Sequence, residues 1–340
     1  MQISCDAKEK MEKKINPFRS SLKDYLYSYF KFMQGLGYKY GTNLSLLKNF
    51  DRFLARNGIN SPREINRAFI LSWINHHSYL SPFTKILMLS QVRSFFKYLQ
   101  RVEVITFNPA EGIILPKVKK YSPYIYTIEQ ILRILEEIKK SMHPRYTYEG
   151  LVHYTVIYLL YALGLRISEA LNIRLKDINL KEKTIFIFKG KFGKERLIPF
   201  SQNTKQKLEE FVILRHKKYP PQSQEEPLFM SRYRKAYSKI SIEHYFRTIT
   251  CKLGLVVKGR NPPRLHDLRH TFAVHRLYKW YQEEKDVLNK LPLLSIYMGH
   301  VDIESTQVYL TISNALLKEA DKRFYEKFGN INLKIKNLTL

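Results

Sequence analysis

Two cysteines, Cys5 and Cys251, are all that the 340 residues of the chain contain. They are too few for a disulfide framework or for a zinc site built on a Cys-x-x-Cys pair, and this usage is typical of a reducing compartment. The longest apolar run, which begins at Tyr154, is too short to span a membrane. The amino-terminal residues also lack the apolar core of a signal peptide. We therefore expect a cytoplasmic protein with no membrane segment.

Acidic residues are scarce relative to basic ones. Asp and Glu number 30 against 58 Lys and Arg, which gives a formal net charge of +28 at neutral pH. An excess of this size favours a polyanionic partner, and nucleic acid is the first candidate. Hydrophobic residues make up 44% of the chain and aromatic residues 14%, enough for folded cores in about two domains.

The first part of the chain has the pattern of a small helical domain. About four helices are predicted between residues 20 and 100, each with its own start signal. Ser61, Pro62 and Glu64 are predicted to begin the third helix, and Ser81 with Pro82 the fourth. Prolines and lysines without periodicity then indicate a linker at residues 113–124.

The second part is predicted to be mostly helical with one β-hairpin. Thr127 and Gln130 form a capping-box pattern at the start of its first helix. The segments TIFIF and ERLIPF flank the turn KGKFGK, which indicates two paired strands. The predicted fold class is mainly α with a small antiparallel β-sheet, in a helical domain at residues 15–112 and a mixed α/β domain at residues 125–330.

The stretch HDLRH, His266 to His270, admits two interpretations. It nearly fits the H-E-x-x-H zinc-protease motif, with Asp267 in place of the glutamate. Against this, Arg269 would put a fixed cation beside a divalent metal, and no third ligand follows at a suitable spacing. In the other interpretation, His266 and Arg269 donate hydrogen bonds to one phosphate.

Further candidates for phosphate chemistry occur in order along the second part. Arg166 follows Gly164 with Glu169 one turn later, where the carboxylate could orient the guanidinium. The remaining candidates are a lysine on the hairpin turn, a histidine after a glycine, and a tyrosine nine residues beyond that histidine: Lys191, His300 and Tyr309. Each alone has an ordinary surface or core explanation. His270 and His275 are assigned to packing or local hydrogen bonds.

As an ordered set, these residues resemble the tyrosine site-specific recombinases of the lambda-integrase and Xer type. ALGLRISEALNI resembles the box of the first catalytic arginine and its accessory acid, and GKFGKERLIP resembles the hairpin of the mobile lysine. HDLRHTFA is similar to the H-x-x-R box, and MGHVDIESTQVYL to the box that ends in the nucleophile. The catalytic set implied is Arg166, Lys191, His266, Arg269, His300 and the nucleophile Tyr309, with Glu169 as accessory residue. The YLTIS that follows departs from the YTH-like run usual in Xer-type proteins.

The resemblance implies that residues 15–112 are a core-binding domain and residues 125–330 a catalytic domain. It implies cleavage and rejoining of duplex DNA at a recombination site through a 3′-phosphotyrosine, with no metal and no cofactor. Arginines hold the phosphate, His266 is a candidate to take the tyrosine proton, and Lys191 protonates the leaving 5′ oxygen. The amphipathic pattern at residues 313–328 fits a helix that packs within its own chain, but the resemblance implies that it docks into a neighbouring protomer of a homotetramer in synapsis. The location implied is the cytoplasm, in association with the nucleoid, for a protein of prokaryotic, phage or mobile-element origin.

Two other functions on the same fold remain open at this point. One is a DNA-binding regulator that does not cleave, and the other is a type IB topoisomerase that only relaxes supercoils. Integration, excision, dimer resolution and transposition are equally open as the biological role of a recombinase.

Overall fold

The structure is a computed structural model that describes residues 16–38, 41–116, 122–142, 147–188, 195–257, 261–283, 286–299, 306, 309 and 310. The chain divides into two compact units, Met1–Lys120 and Tyr121–Leu340. The division falls within the predicted linker, while the exact domain limits stay a prediction. Within the described residues, no helix is both long enough and apolar enough to cross a membrane.

The first unit contains the four predicted helices, α1 (Lys23–Gly35), α2 (Gly41–Arg56), α3 (Arg67–His76) and α4 (Pro82–Arg101). Ser81 caps α4 by accepting a hydrogen bond from the Thr84 amide, as the sequence indicated. The predicted start of the third helix is wrong. Pro62–Glu64 form only a 3₁₀ turn, because Ile65 is extended, and α3 begins later, where the Asn66 side chain accepts from the Phe69 amide.

Aromatic side chains form the centre of this unit. Trp73 of α3 contacts Phe50 of α2, with ring centroids 4.8 Å apart. Phe95 of α4 contacts Tyr29 of α1 in the same way, at 5.6 Å. All four rings are buried, so every helix contributes an aromatic residue to one core.

The second unit is built around a buried central helix. Its helices are α5 (Ile128–Lys140), α6 (Thr147–Ala162), α7 (Ile167–Leu171), α8 (Gln202–Lys218), α9 (Lys239–Lys252), α10 (Asp267–Gln282) and α11 (Val287–Met298). The capping box at Thr127 and Gln130 is present at the start of α5. The long apolar run lies in α6, which contacts α5, α8 and α10 and is apolar because neighbouring helices cover it.

A three-stranded antiparallel sheet completes the second unit and confirms the predicted hairpin. Its strands are β1 (Ile178–Asn179), β2 (Thr184–Ile187) and β3 (Arg196–Pro199), in the order β1-β2-β3. Ile185 pairs with Ile198, and both side chains are buried. The face of the hairpin that carries them therefore packs against the core. The fold class, mainly α with a small antiparallel β-sheet, is confirmed.

Candidate active site

The segment after α6 brings the first candidate arginine into place. Gly164 has a φ of +61°, and a Cβ there would lie 2.4 Å from the Phe272 ring. Only glycine combines this left-handed backbone with such close contact. Gly164 lies between the end of α6 and the start of α7, and Arg166, two residues later, stands at the amino-terminal cap of α7.

Arg166 and Glu169 make the contact that their spacing predicted. The Arg166 amide donates to Glu169 Oε2 at 3.0 Å, and Arg166 Nη1 donates to Oε1 at 2.7 Å. The Arg166 side chain is 17% exposed and that of Glu169 only 3%. Because Glu169 accepts from both the backbone amide and the side chain of Arg166, the guanidinium is held in a fixed direction while part of it stays exposed to solvent.

Arg196, at the start of β3, is a second partner of Glu169 that the sequence analysis did not select. Its Nη1 and Nη2 donate to the two carboxylate oxygens at 3.0 and 2.8 Å, and its Nε donates to the Tyr297 carbonyl at 2.8 Å. A signal was available, because strand alternation places Arg196 on the same face as buried Ile198.

The electrostatic balance around Glu169 follows from these contacts. Burial would raise the pKa of the Glu169 carboxyl, but hydrogen bonds and charge from Arg196, with hydrogen bonds from Arg166, outweigh burial and lower it to about 2. The carboxylate is therefore ionised at every physiological pH. It is one negative charge among three guanidiniums, since Arg269 Nη1 also lies 4.0 Å from Oε2.

Arg269 is buried where three elements meet. Its Nη1 donates to the Gly164 carbonyl at 2.6 Å, and its Nη2 donates to the Met298 carbonyl at the end of α11. Burial and the neighbouring charge of Arg166 lower its pKa. A guanidinium starts from so high a value that it stays protonated all the same.

The carboxyl end of α11 is the meeting point of both arginines. Arg166 Nη2 donates to the Gly299 carbonyl at 2.9 Å, close to the Met298 carbonyl that Arg269 reaches. Gly299 ends the helix with a φ of +64°, and a Cβ there would lie 2.8 Å from Arg196 Nη1. Terminal helix carbonyls attract cations, so the carboxyl end of α11 holds the guanidiniums of Arg166 and Arg269 close together.

Tyr309 is buried in this region, and its hydroxyl contacts a histidine. It packs with residues of α10 and α11, including Phe272 and Met298, and is 3% exposed. Its Oη lies 2.9 Å from His270 Nδ1. Burial raises the pKa of the Tyr309 hydroxyl, while the charges of Arg269 and Arg166 act in the opposite direction.

The histidines at the start of α10 and within it differ in exposure and in hydrogen-bond partner. His266 stands at the amino-terminal cap of α10 and keeps an exposed edge, and partial burial together with nearby cations lowers its pKa. His275 Nδ1 lies 3.0 Å from the Tyr161 hydroxyl of α6, so its hydrogen bond joins two helices and is not the local one that was predicted. The same assignment missed the position of His270, whose contact is with the candidate nucleophile.

Two predicted site residues lie outside the described residues. These are Lys191, between β2 and β3 in the sequence, and His300, which follows Gly299 in the sequence. The predicted carboxyl-terminal helix at residues 313–328 also lies outside them. The structure brings together the other five, Arg166, Glu169, His266, Arg269 and Tyr309.

The zinc-protease interpretation of HDLRH is not favoured by the geometry. Asp267, the carboxylate that would act as general base, is fully buried and accepts hydrogen bonds from the Arg264 amide at 2.8 Å and from Arg264 Nη2 at 3.2 Å. His270 directs its Nδ1 to Tyr309. Neither side chain is arranged for a metal-bound water between two histidines.

Comparison with known proteins gives the class to which this site belongs. Residues 126–315 match the Phage integrase family. A Sinorhizobium fredii protein named as an integrase/recombinase is 32% identical over 92% of this chain and 99% of its own. Tyrosine recombinase XerC of Bacillus subtilis is 30% identical over 80% of this chain and 85% of its own.

Solved structures share the fold. A lambda integrase dimer bound to a COC′ core site has a TM-score of 0.62 and 18% identity, over 85% of this chain and 76% of that one. The Tn1549 transposon integrase in complex with transposon right end DNA has a TM-score of 0.64 and 18% identity, over 87% and 98%. The chain therefore belongs to the phage integrase family of tyrosine recombinases, enzymes that act on DNA recombination sites by cleaving and rejoining strands.

Proposed function

We propose that Tyr309 is the nucleophile of this recombinase and that it forms a 3′-phosphotyrosine with one DNA strand. Tyr309 Oη forms a bond to phosphorus, the bond from phosphorus to the 5′ oxygen breaks, and a 5′ hydroxyl is released. Attack by a 5′ hydroxyl from another strand reverses the step and exchanges partners without ATP. The observation that carries this proposal is that Tyr309 is buried in one cluster with Met298, whose carbonyl accepts from both Arg269 and Arg166, and the charges of these arginines favour ionisation of its hydroxyl.

The arginines have the role that a metal ion has in other phosphoryl-transfer sites. Negative charge builds up on the nonbridging oxygens as phosphorus is attacked, and forked guanidinium donors can hold two such oxygens. Arg166 is partly exposed and directed by Glu169, so it can reach a bound phosphate. His266 lies at the exposed start of α10 and adds a donor. From the resemblance, His300 joins this group and Lys191 protonates the 5′ oxygen.

The test is covalent trapping with a nicked duplex whose short strand is lost after cleavage. The target duplex is first selected from a random pool by binding to the protein. In EDTA, the wild type should accumulate a protein–DNA adduct, and Tyr309→Phe should bind the duplex but form none. Phenylalanine keeps the ring and its packing and removes only the hydroxyl.

Tyr297→Phe is the matched control. Its ring stacks on Phe272, with centroids 5.6 Å apart, and burial raises the pKa of its hydroxyl to about 12. This variant should still form the adduct. An adduct on any residue other than Tyr309 would refute the assignment, and no adduct with the wild type would favour a non-cleaving regulator. Relaxation of plasmid without exchange between two sites would favour a topoisomerase.

We further propose that recombination takes place in a homotetramer on two DNA sites, in a prokaryotic cytoplasm and as part of integration, excision or resolution. The amphipathic sequence at residues 313–328 and the bacterial relatives support this assignment. Sedimentation of the protein with a duplex that carries two sites should give four chains per complex. Two chains per complex at saturating protein would contradict the tetramer.

A further inference from the structure

The hydroxyl of Tyr309 contacts a residue to which the resemblance gives no role. His270 follows Arg269 directly on α10, and the two side chains diverge. Arg269 reaches the carbonyls of Gly164 and Met298, whereas His270 Nδ1 lies 2.9 Å from Tyr309 Oη. That distance is typical of a hydrogen bond. The proton on the attacking oxygen is therefore within direct reach of one imidazole nitrogen.

The surroundings of His270 keep the imidazole neutral. Burial is the main cause that lowers the pKa of His270 to about 4; Asp267 opposes the shift, and the charges of Arg264 and Arg269 contribute to it. The remaining titratable neighbour on α10 is His266, whose ring stands edge-on at a centroid distance of 4.9 Å. A neutral imidazole offers one lone pair, and a hydroxyl at hydrogen-bond distance can donate to it.

We propose that His270 takes the proton of Tyr309 during cleavage, a role that sequence resemblance would give to His266. The proposal rests on the proposed function of Tyr309. The O–H bond breaks as a bond from hydrogen to His270 Nδ1 and a bond from Tyr309 Oη to phosphorus form. The 5′ oxygen leaves with a proton from a separate acid. On rejoining, His270 returns the proton to the released Tyr309.

The timing of the transfer follows from basicity. Tyrosine ordinarily ionises near 10, so a weakly basic imidazole cannot remove its proton before attack. As phosphorus is attacked, the hydroxyl becomes acidic and negative charge grows on the neighbouring phosphate, which stabilises an imidazolium. Proton transfer and attack therefore occur together. The exposed edge of His266 is then left to donate to the phosphate.

The decisive variant is His270→Asn, because the Asn side-chain oxygen can stand near the place of Nδ1 and accept a hydrogen bond without acting as a base. Single-turnover cleavage of the nicked duplex should fall by about 100- to 10,000-fold. The wild-type rate should be level from about pH 6 to 8, since His270 is already unprotonated there. The variant should instead gain about tenfold per pH unit as ionisation of Tyr309 limits the rate.

His275→Asn is the matched control on the same helix. Its Nδ1 makes an equivalent contact, 3.0 Å from the Tyr161 hydroxyl, away from the reacting atoms. This variant should keep the wild-type rate and the level pH profile. A level profile for His270→Asn, or a loss no larger than that of the control, would show that the contact serves packing alone and would overturn the proposal.

A second measurement on the wild type covers the case in which His270→Asn does not fold. Nitrogen-15 NMR of histidine-labelled protein reports which ring nitrogen carries the proton. We expect the His270 proton on Nε2, which leaves Nδ1 to accept, and a proton on Nδ1 would overturn the proposal. Failure of the proposed function is distinct: the wild type would then give no Tyr309 adduct, whatever the pH profile of His270→Asn.

Discussion

At the scale of single residues, Glu169 determines the stability of the arginine cluster. Its side chain is 3% exposed and accepts from both Arg166 and Arg196. A buried carboxylate is costly by itself, and so are buried guanidiniums, but the set is stable because the charges compensate each other at short distance. Loss of the carboxylate leaves the two cations to repel each other in a region of little solvent.

Glu169→Gln should lower the free energy of unfolding at neutral pH by about 3 kcal/mol. This magnitude follows from the pKa of Glu169, which folding lowers from the ordinary 4.5 to about 2. Because the folded-state pKa is the lower one, this stabilisation is full above about pH 4.5 and is lost as the pH falls towards 2. Urea unfolding of wild type and variant across that range should therefore give curves that converge in acid.

Glu225→Gln is the control for that experiment. Glu225 also pairs with two cations, Arg174 and Lys176, but its side chain is 58% exposed. Water screens such pairs, so the substitution should change stability little. Equal losses from the two substitutions would contradict the role given to Glu169.

The contacts of these side chains differ in how far apart the two partners lie in the sequence. The contact of Arg166 with Glu169 was predictable because three residues of separation on a helical turn bring side chains together. Glu169 and Arg196 are 27 residues apart, and His270 and Tyr309 are 39 apart. Contacts at such separations depend on how whole elements pack, which local spacing does not contain. Strand alternation could still have indicated that Arg196 points inward.

At the scale of elements, the short segment between α6 and α7 positions both arginines. Gly164 lies under the Phe272 ring, its carbonyl accepts from Arg269, and Arg166 follows two residues later. A side chain at this position would force the ring or the backbone to move. Either shift would displace the guanidiniums from their common centre.

Gly164→Ala should lower the free energy of unfolding by about 3 kcal/mol or more, because the cost of a left-handed backbone for alanine adds to the cost of the steric clash with Phe272. Gly254→Ala is the matched control, since Gly254 has a φ of +69° but nothing within 4 Å of an added Cβ. That substitution should cost about 1–2 kcal/mol for the backbone alone. If both substitutions lowered the free energy of unfolding equally, in thermal or urea unfolding, the Phe272 ring would be shown to move aside at no cost.

Elements were predictable wherever periodicity and end signals agreed. The segments of β2 and β3 are rich in β-branched and apolar residues and flank a glycine-containing stretch of the sequence, and α4 begins at Ser81 and Pro82. The start of α3 was missed because Ser61, Pro62 and Glu64 suit a 3₁₀ turn as well as a helix start. The extended conformation of Ile65 decides between them, and tertiary packing sets that conformation.

At the scale of the whole molecule, the net charge of +28 predicts that DNA binding depends strongly on salt. Each phosphate that a lysine or arginine neutralises releases counterions, so affinity falls as a power of salt concentration. For roughly six to ten phosphate contacts, affinity for the selected duplex should drop by about 10³- to 10⁵-fold between about 50 and 200 mM salt. Fluorescence anisotropy at several salt concentrations measures this slope.

A duplex of the same sequence with neutral methylphosphonate linkages is the control for the salt dependence. Each neutral linkage at a contacted position removes a charge that the protein would otherwise meet, so the slope should become shallower. An affinity that does not change with salt would mean that base contacts or apolar surface supply the binding. The composition of the chain alone supports this prediction, whereas the residues that read bases cannot be chosen from so many lysines and arginines.

Because Glu169 is shared by two arginines, substitutions at these three positions are coupled in evolution. A lineage that replaces the carboxylate keeps two cations, Arg166 and Arg196, whose side chains are only 17% and 9% exposed. A lineage that loses Arg196 keeps the buried carboxylate of Glu169 but removes two of the hydrogen bonds that it accepts. Neither intermediate is neutral to selection, so as recombinases of this kind diverge these three positions are expected to be inherited as a unit and to change, if at all, in compensating pairs.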